Sequence, residues 1–171
     1  AAGNMDEAVR VLQTLLDEQP DRLTPSEGQA DIFISVRTRV HQVLIDNPAL
    51  LSRYRELQDA RAAAALQTEL AVNPGDPLLA SAPVERSFLL TPSGMEAALR
   101  IAQRHFESGR FEGARLTLEQ LERHPDRSGA APLAQDAARM LSAISRYLPR
   151  PEVIERARRW REQSGIAPEA N

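Results

Sequence analysis

Three histidines, His41, His105 and His124, are the side chains of this sequence best suited to proton transfer or metal binding, and their spacing argues against both. A helix that holds a metal needs two ligands about one turn apart, and no histidine here has another histidine or a cysteine at i+3 or i+4. His105 and Glu107 stand two residues apart and would point to different sides of a helix. Ser35, Ser93 and Ser142 lack the glycine-flanked elbow that activates a nucleophilic serine, and suit capping or solvent instead. Glu119, Glu122, Glu152 and Glu155 read as solvated helix faces. With no cysteine and no glycine-rich phosphate loop, no catalytic residue, metal or cofactor is expected.

Two groups of side chains could bind a partner without reacting. Glu96, Arg100, Gln103 and Glu107 fall on the outward face of a helix over residues 92–107, and Gln135, Arg139, Ser142 and Arg146 on that of a helix over 132–147. Arginines placed in such rows can take up a carboxylate in a bidentate manner. The second group is Arg156, Arg158, Arg159 and Arg161 around Trp160. Val153, Ala157 and Trp160 recur at i, i+4 and i+7, a stripe that would dock a final helix and leave its arginines toward solvent, an anionic partner or a membrane surface.

The elements that must carry these residues are helices nearly throughout. Apolar periodicity and punctuation predict helices over 4–19, 35–46, 47–72, 77–87, 92–107, 111–123, 132–147 and 151–164. Asn47-Pro48, Asp76-Pro77 and Thr91-Pro92 each pair a capping side chain with a proline whose missing N–H is harmless at the first helical position, and Ser35 is a further cap. Residues 20–34 read as one long irregular connection, extended at most over 32–34. Residues 124–132 read as a loop around Pro125 and Gly129.

Composition sets the class. The 171 residues are 42% hydrophobic and 26% charged, enough for one helical domain with a core, and no run of about 18 apolar residues could span a bilayer. All 21 basic residues are arginine, and the net charge of −3 gives a nucleic-acid role no global electrostatic support.

Residues 94–126 form two amphipathic helices hinged at Gly109 and stopped at Pro125, with Ala102 and Ala114 small where the helices must cross and Phe106, Phe111 and Leu118 filling the space around them. The start of the chain echoes the second of these helices. From Gly3, the residues Met5, Ala8, Leu12 and Leu15 follow at intervals of 2, 5, 9 and 12, as Phe111, Ala114, Leu118 and Leu121 do from Gly109. The spacing resembles the tetratricopeptide repeat over 95–125 and 3–20, although Ala98 stands where that family favours a large aromatic. That resemblance implies an all-α fold of about eight helices, a short solenoid or irregular right-handed superhelix. Residues 1–20 would be a partial repeat, 21–90 an irregular helical insert, and 91–171 repeat hairpins with a terminal helix. The opening on a second-position helix implies a missing first helix upstream and an uncovered apolar strip, so that self-association through residues 4–16 is expected.

Over its whole length the order Gln19-Pro20-Asp21, Phe33-Ile34-Ser35-Val36-Arg37, Tyr54-Arg55, Arg86 to Gly94 and then the hairpin resembles the helical region preceding quinoprotein-type (PQQ-like) β-propellers in envelope proteins of planctomycete-type bacteria. The resemblance implies a β-propeller in the same polypeptide or in a companion chain, and a periplasmic or envelope setting. The expected role is a non-catalytic protein-interaction or scaffold module, with an accessory or lid domain of an enzyme whose active site lies elsewhere as the alternative. Neither nucleic acid nor membrane insertion is expected.

Overall fold

The chain is described by a computed structural model that covers residues 2–127 and 132–166, apart from the side chains of residues 2, 3, 29 and 30. Most of it is helical: α1 (Ala2–Glu18), α2 (Val36–Ile45), α3 (Pro48–Val72), α4 (Pro77–Phe88), α5 (Pro92–Glu107), α6 (Phe111–Gln120), α7 (Pro132–Tyr147) and α8 (Pro151–Gln163), with a 3-10 turn at Leu121–Arg123 after α6. The caps act as their chemistry requires. Ser35 accepts from the Thr38 N–H, Asn47 from Leu50, Asp76 from Leu78 and Leu79, and Thr91 from Gly94.

The connection over 20–34 is not irregular. It holds an antiparallel hairpin of β1 (Leu23–Ser26) and β2 (Gln29–Ser35), turned at Glu27-Gly28, where Gly28 has φ +73°. Pro25 in β1 and the charges around the turn hide the pattern in the sequence. Its root is fixed to the start of α2, because Val36 donates to the Arg22 carbonyl at 2.7 Å and Arg37 to that of Pro20 at 3.0 Å. Gly3 lies inside α1, whereas Gly109 makes the turn between α5 and α6 with φ +72°. Pro132 opens α7, and Gly129 lies outside the described residues.

Three apolar clusters make up the core. Val9, Leu16, Val40, Leu44, Leu50, Leu51 and Tyr54 bring together α1, α2 and α3. Ala62, Leu66, Val84 and Ala97 join α3, α4 and α5. Met95, Ala98, Ala102, Ala114, Leu118, Leu141, Ile144, Ala157 and Trp160 join α5 to α8. The apolar strip expected to stand open on α1 is therefore covered from within: Val9 and Leu16 are each 1% exposed against α2 and α3, and Met5, Ala8, Leu12 and Leu15 are half-buried. Leu57 and Val43, which helix periodicity on its own would turn inward, are exposed.

The clusters meet at the elbow between α4 and α5. Phe88 enters the second cluster, Leu89 the third and Leu90 the first. The elbow's carbonyls are bonded from several sides. Ser87 accepts from Gln13 of α1 and Tyr54 of α3, both at 3.3 Å, Phe88 accepts from the Thr91 hydroxyl at 2.8 Å, and Leu90 accepts from Arg55 Nε at 2.9 Å. Gly94 seals the turn, since a Cβ there would lie 1.8 Å from the Phe88 carbonyl oxygen.

That overlap is with backbone and cannot be relieved by a rotamer change. Gly94→Ala is expected to lower the unfolding free energy by about 3 kcal/mol or more, read as a fall in the urea midpoint. Gly109→Ala meets open space and bears only the left-handed φ, so it should cost about 1–2 kcal/mol. Equal midpoints for the two variants would remove the elbow's special status.

Candidate functional site

Helices α5 and α7 lie side by side and leave a groove of about 710 Å³ between them. Its floor is Leu99 and Phe106 from α5 with Leu133, Met140 and Ala143 from α7, and its polar edges are Glu96, Arg100, Gln103 and Glu107 on one side with Asp136 and Arg139 on the other. Five of the eight residues on the two outward faces, Glu96, Arg100, Gln103, Glu107 and Arg139, thus belong to one groove. The positions follow from helix periodicity: α5 turns Met95, Ala98 and Ala102 into the core and its charged and amide residues outward.

The polar groups on these edges are already ordered along their own helices. Arg100 donates to Glu96 at 2.7 and 3.0 Å, Gln103 to Glu107 at 2.8 Å, and Arg139 to Asp136 at 3.0 Å and to Gln135 at 3.1 Å. Such exposed i,i+3 and i,i+4 pairs contribute only about 0.3–0.5 kcal/mol each. An incoming group can therefore exchange them at small cost. Arg146 does not join this edge and instead walls a second cleft, of about 340 Å³, between α7 and α8 with Ser142, Ser145, Arg158 and Arg161.

Sequence reasoning missed the groove floor. Phe106 reads from the sequence as filler of the α5–α6 crossing, and the two-turn spacing of Met140 from Leu133 is the signal that could have found the other side. The groove also ends on an aromatic trio. Phe106 meets Phe111 and Tyr147 edge-on at 5.4 and 5.6 Å, while Phe111 and Tyr147 stack at 4.2 Å.

The terminal basic cluster does not form one face. Trp160 is 3% exposed and, with Val153 and Ala157, docks α8 into the core. Arg156 turns inward to Glu119 and, at 3.9 Å, to Glu122 of the 3-10 turn; Arg158 pairs with Glu155 at 2.7 Å and Glu162 at 2.9 Å; and Arg161 lines the α7–α8 cleft. Arg159 is exposed. At 100° per residue Arg156, Arg158, Arg159 and Arg161 are spread around α8, and with Trp160 committed to the core they share no common face.

The histidines lie on separate elements, and among the described residues no group of three or more His, Asp or Glu side chains could hold a metal. His124 is buried and its Nδ1 accepts from the Asp126 N–H at 3.1 Å, behind the Arg55–Asp126 pair. His41 walls a cavity of about 360 Å³ between α2 and the 3-10 turn. Burial pushes both imidazoles down to about 4, helped at His41 by Arg37 and at His124 by Arg55, while Asp126 opposes the shift at His124.

Unfolded histidine takes up its proton near pH 6.5, so the unfolded chain binds more protons than the folded one between pH 6.5 and 4. Stability present above pH 6.5 should therefore be lost as pH falls through that window, by about 1–2 kcal/mol per histidine between pH 6.5 and 5. Glu85, whose carboxyl is raised by burial against the opposing pull of Arg37, works in the other direction. Thermal melts from pH 7 to 5 should show a falling midpoint that flattens in a His41→Gln/His124→Gln variant; an equal slope in both proteins would contradict this assignment. No family model matches the chain, no curated protein matches it, and no solved structure matches it.

Proposed function

We infer that this chain is a non-catalytic protein-interaction module whose α5–α7 groove receives an apolar-faced segment of a partner protein. The observation that carries the reading is the groove itself: an apolar floor of Leu99, Phe106, Leu133 and Met140 edged by charged and amide side chains. An amphipathic helix fits this surface by laying its apolar face on the floor and exchanging polar contacts at the edges. Glu107 is bonded to Gln103, an uncharged group, so the edge at that end favours a partner carrying Lys or Arg.

In this reading α5–α6 and α7–α8 are successive tetratricopeptide-like hairpins of a short solenoid, with α5 and α7 as the first-position helices that line its inner surface. The partner class implied by the resemblance over the whole length is a β-propeller of the same polypeptide or of a companion chain, in the periplasm or cell envelope. The module would hold that partner in place and take no part in chemistry.

Photo-crosslinking tests this directly. Met140 is replaced by a benzoylphenylalanine side chain within the full polypeptide or complex to which the chain belongs, with Leu57, exposed on α3, as the control position. A crosslink from position 140 to a partner segment, weakened about tenfold or more by Leu99→Arg, is the expected result. Crosslinks from position 57 alone would overturn the assignment of the groove.

A further inference from the structure

We propose that the segment held in the α5–α7 groove is a helix of fixed polarity and charge order, running antiparallel to α5 and α7 and carrying a basic, an acidic and a basic residue at i, i+7 and i+11. This rests on the reading of the groove given above and narrows its partner from an apolar-faced segment to one with a stated charge code. The argument starts from the direction of the two helices. Phe106, next to the last residue of α5, meets Tyr147, the last residue of α7, at 5.6 Å between ring centroids, and the two helices share the groove back to Glu96 and Leu133. Both conditions hold only if α5 and α7 run in the same direction.

Counting back from the aromatic contact sets the level of each charge. Glu96 lies ten residues before Phe106 and Asp136 eleven before Tyr147, so both stand about 15–17 Å from the aromatic end at 1.5 Å per residue. Arg100 and Arg139, six and eight residues back, stand about 9–12 Å from it. The two edges therefore show one order at matching levels: an acidic band, a basic band about one turn nearer the aromatic rings, and then Glu107 beside them. These side chains are open to a partner, with Glu96 38%, Arg100 41%, Asp136 57% and Arg139 59% exposed.

A helix matches such bands by its own pitch. Glu96, Arg100 and Glu107 occupy i, i+4 and i+11 of α5, positions within about 40° of one another, and a second helix laid alongside presents a row of the same spacings. An extended segment rises about 3.3 Å per residue and would cover the two steps in about two and three residues, so the second step turns its side chain to the other face. Opposite charge at each level places Lys or Arg against Glu107, Asp or Glu against the basic band, and Lys or Arg against the acidic band.

Polarity follows from two effects of the same sign. The dipoles of α5 and α7 point the same way, so a helix lying along them is favoured antiparallel, with its N-terminus toward their negative C-terminal ends. Read in that direction, the partner's row sets its acidic residue four positions before a basic one, the better order within a helix, and the parallel arrangement reverses it.

Fluorescence anisotropy of the whole chain with labelled amphipathic peptides of about 18 residues reads the code, the three positions bearing Lys-Glu-Lys, Glu-Lys-Glu or Gln throughout. The Lys-Glu-Lys peptide is expected to bind at least about tenfold tighter than the Glu-Lys-Glu peptide at low salt, with the gap closing toward about 1 M salt. Exchanging the charges of the groove, by Glu96→Arg, Arg100→Glu, Glu107→Arg, Asp136→Arg and Arg139→Glu together, should invert the preference, which loss of structure cannot do. Because the chain has no cysteine, disulfide trapping reads polarity: a peptide with an N-terminal cysteine should trap Ala143→Cys faster than Leu133→Cys, and one with a C-terminal cysteine the reverse. Equal affinity for the two charged peptides, or the opposite trapping preference, overturns the proposal and leaves the reading of the groove in place; binding of none of the three peptides overturns both.

Discussion

Three consecutive side chains, Phe88, Leu89 and Leu90, each enter a different apolar cluster, and the remainder of the molecule is arranged around that divergence. Successive residues of a helical turn point about 100° apart, and at the end of α4, where the chain turns before Pro92 opens α5, that divergence carries the three side chains into three different clusters. Leaving the helix exposes main-chain carbonyls inside the protein, where an unpaired group costs about 1–3 kcal/mol. Gln13, Tyr54, Arg55 and Thr91 meet that demand at Ser87, Phe88 and Leu90. The elbow is thus where α1 and α3 are tied to the helices that carry the groove.

Much of this was legible in the sequence, and for identifiable reasons. Proline at the first helical position with Asn, Asp or Thr before it marks a helix start almost without regard to tertiary context, which is why α3, α4 and α5 begin where expected. The stripe of Val153, Ala157 and Trp160 likewise needed only helix geometry. Leu57 and Val43 obey the same periodicity yet face solvent, because the number of neighbours a long helix meets is decided by the fold and not by its own pattern. The hairpin escaped notice because Pro25 and Gly28 read as loop punctuation, and only the pairing of Thr24 with Ile34 across them makes strands. The segment 86–94 stood out only as one part of the whole-length resemblance, and nothing in one sequence tells that its three apolar residues part company.

The residues of the candidate groove were half legible. Periodicity places Glu96, Arg100, Gln103 and Glu107 on one face of α5, and so identifies one edge of the groove. It cannot say that Arg139 lies across from them while Arg146, two turns on, faces α8, since that depends on where α7 is crossed by its neighbours. The arginine cluster of α8 shows the opposite error. Residues adjacent in sequence suggested a patch, whereas the commitment of Trp160 to the core distributes Arg156 toward α6 and Arg158 along its own helix. The binding role proposed above accordingly rests on the shape and apolar surface of the groove rather than on accumulated charge.

If the elbow does couple the clusters, the α1–α3 cluster and the α5–α8 cluster cannot unfold independently. Native-state hydrogen exchange across increasing denaturant measures this most directly, because it assigns an opening free energy to each helix. Amides of Val40 and Leu44 in α2 and of Leu141 and Ile144 in α7 should converge on a single global opening. Two separate openings of different free energy, one for each side of the elbow, would contradict the central claim.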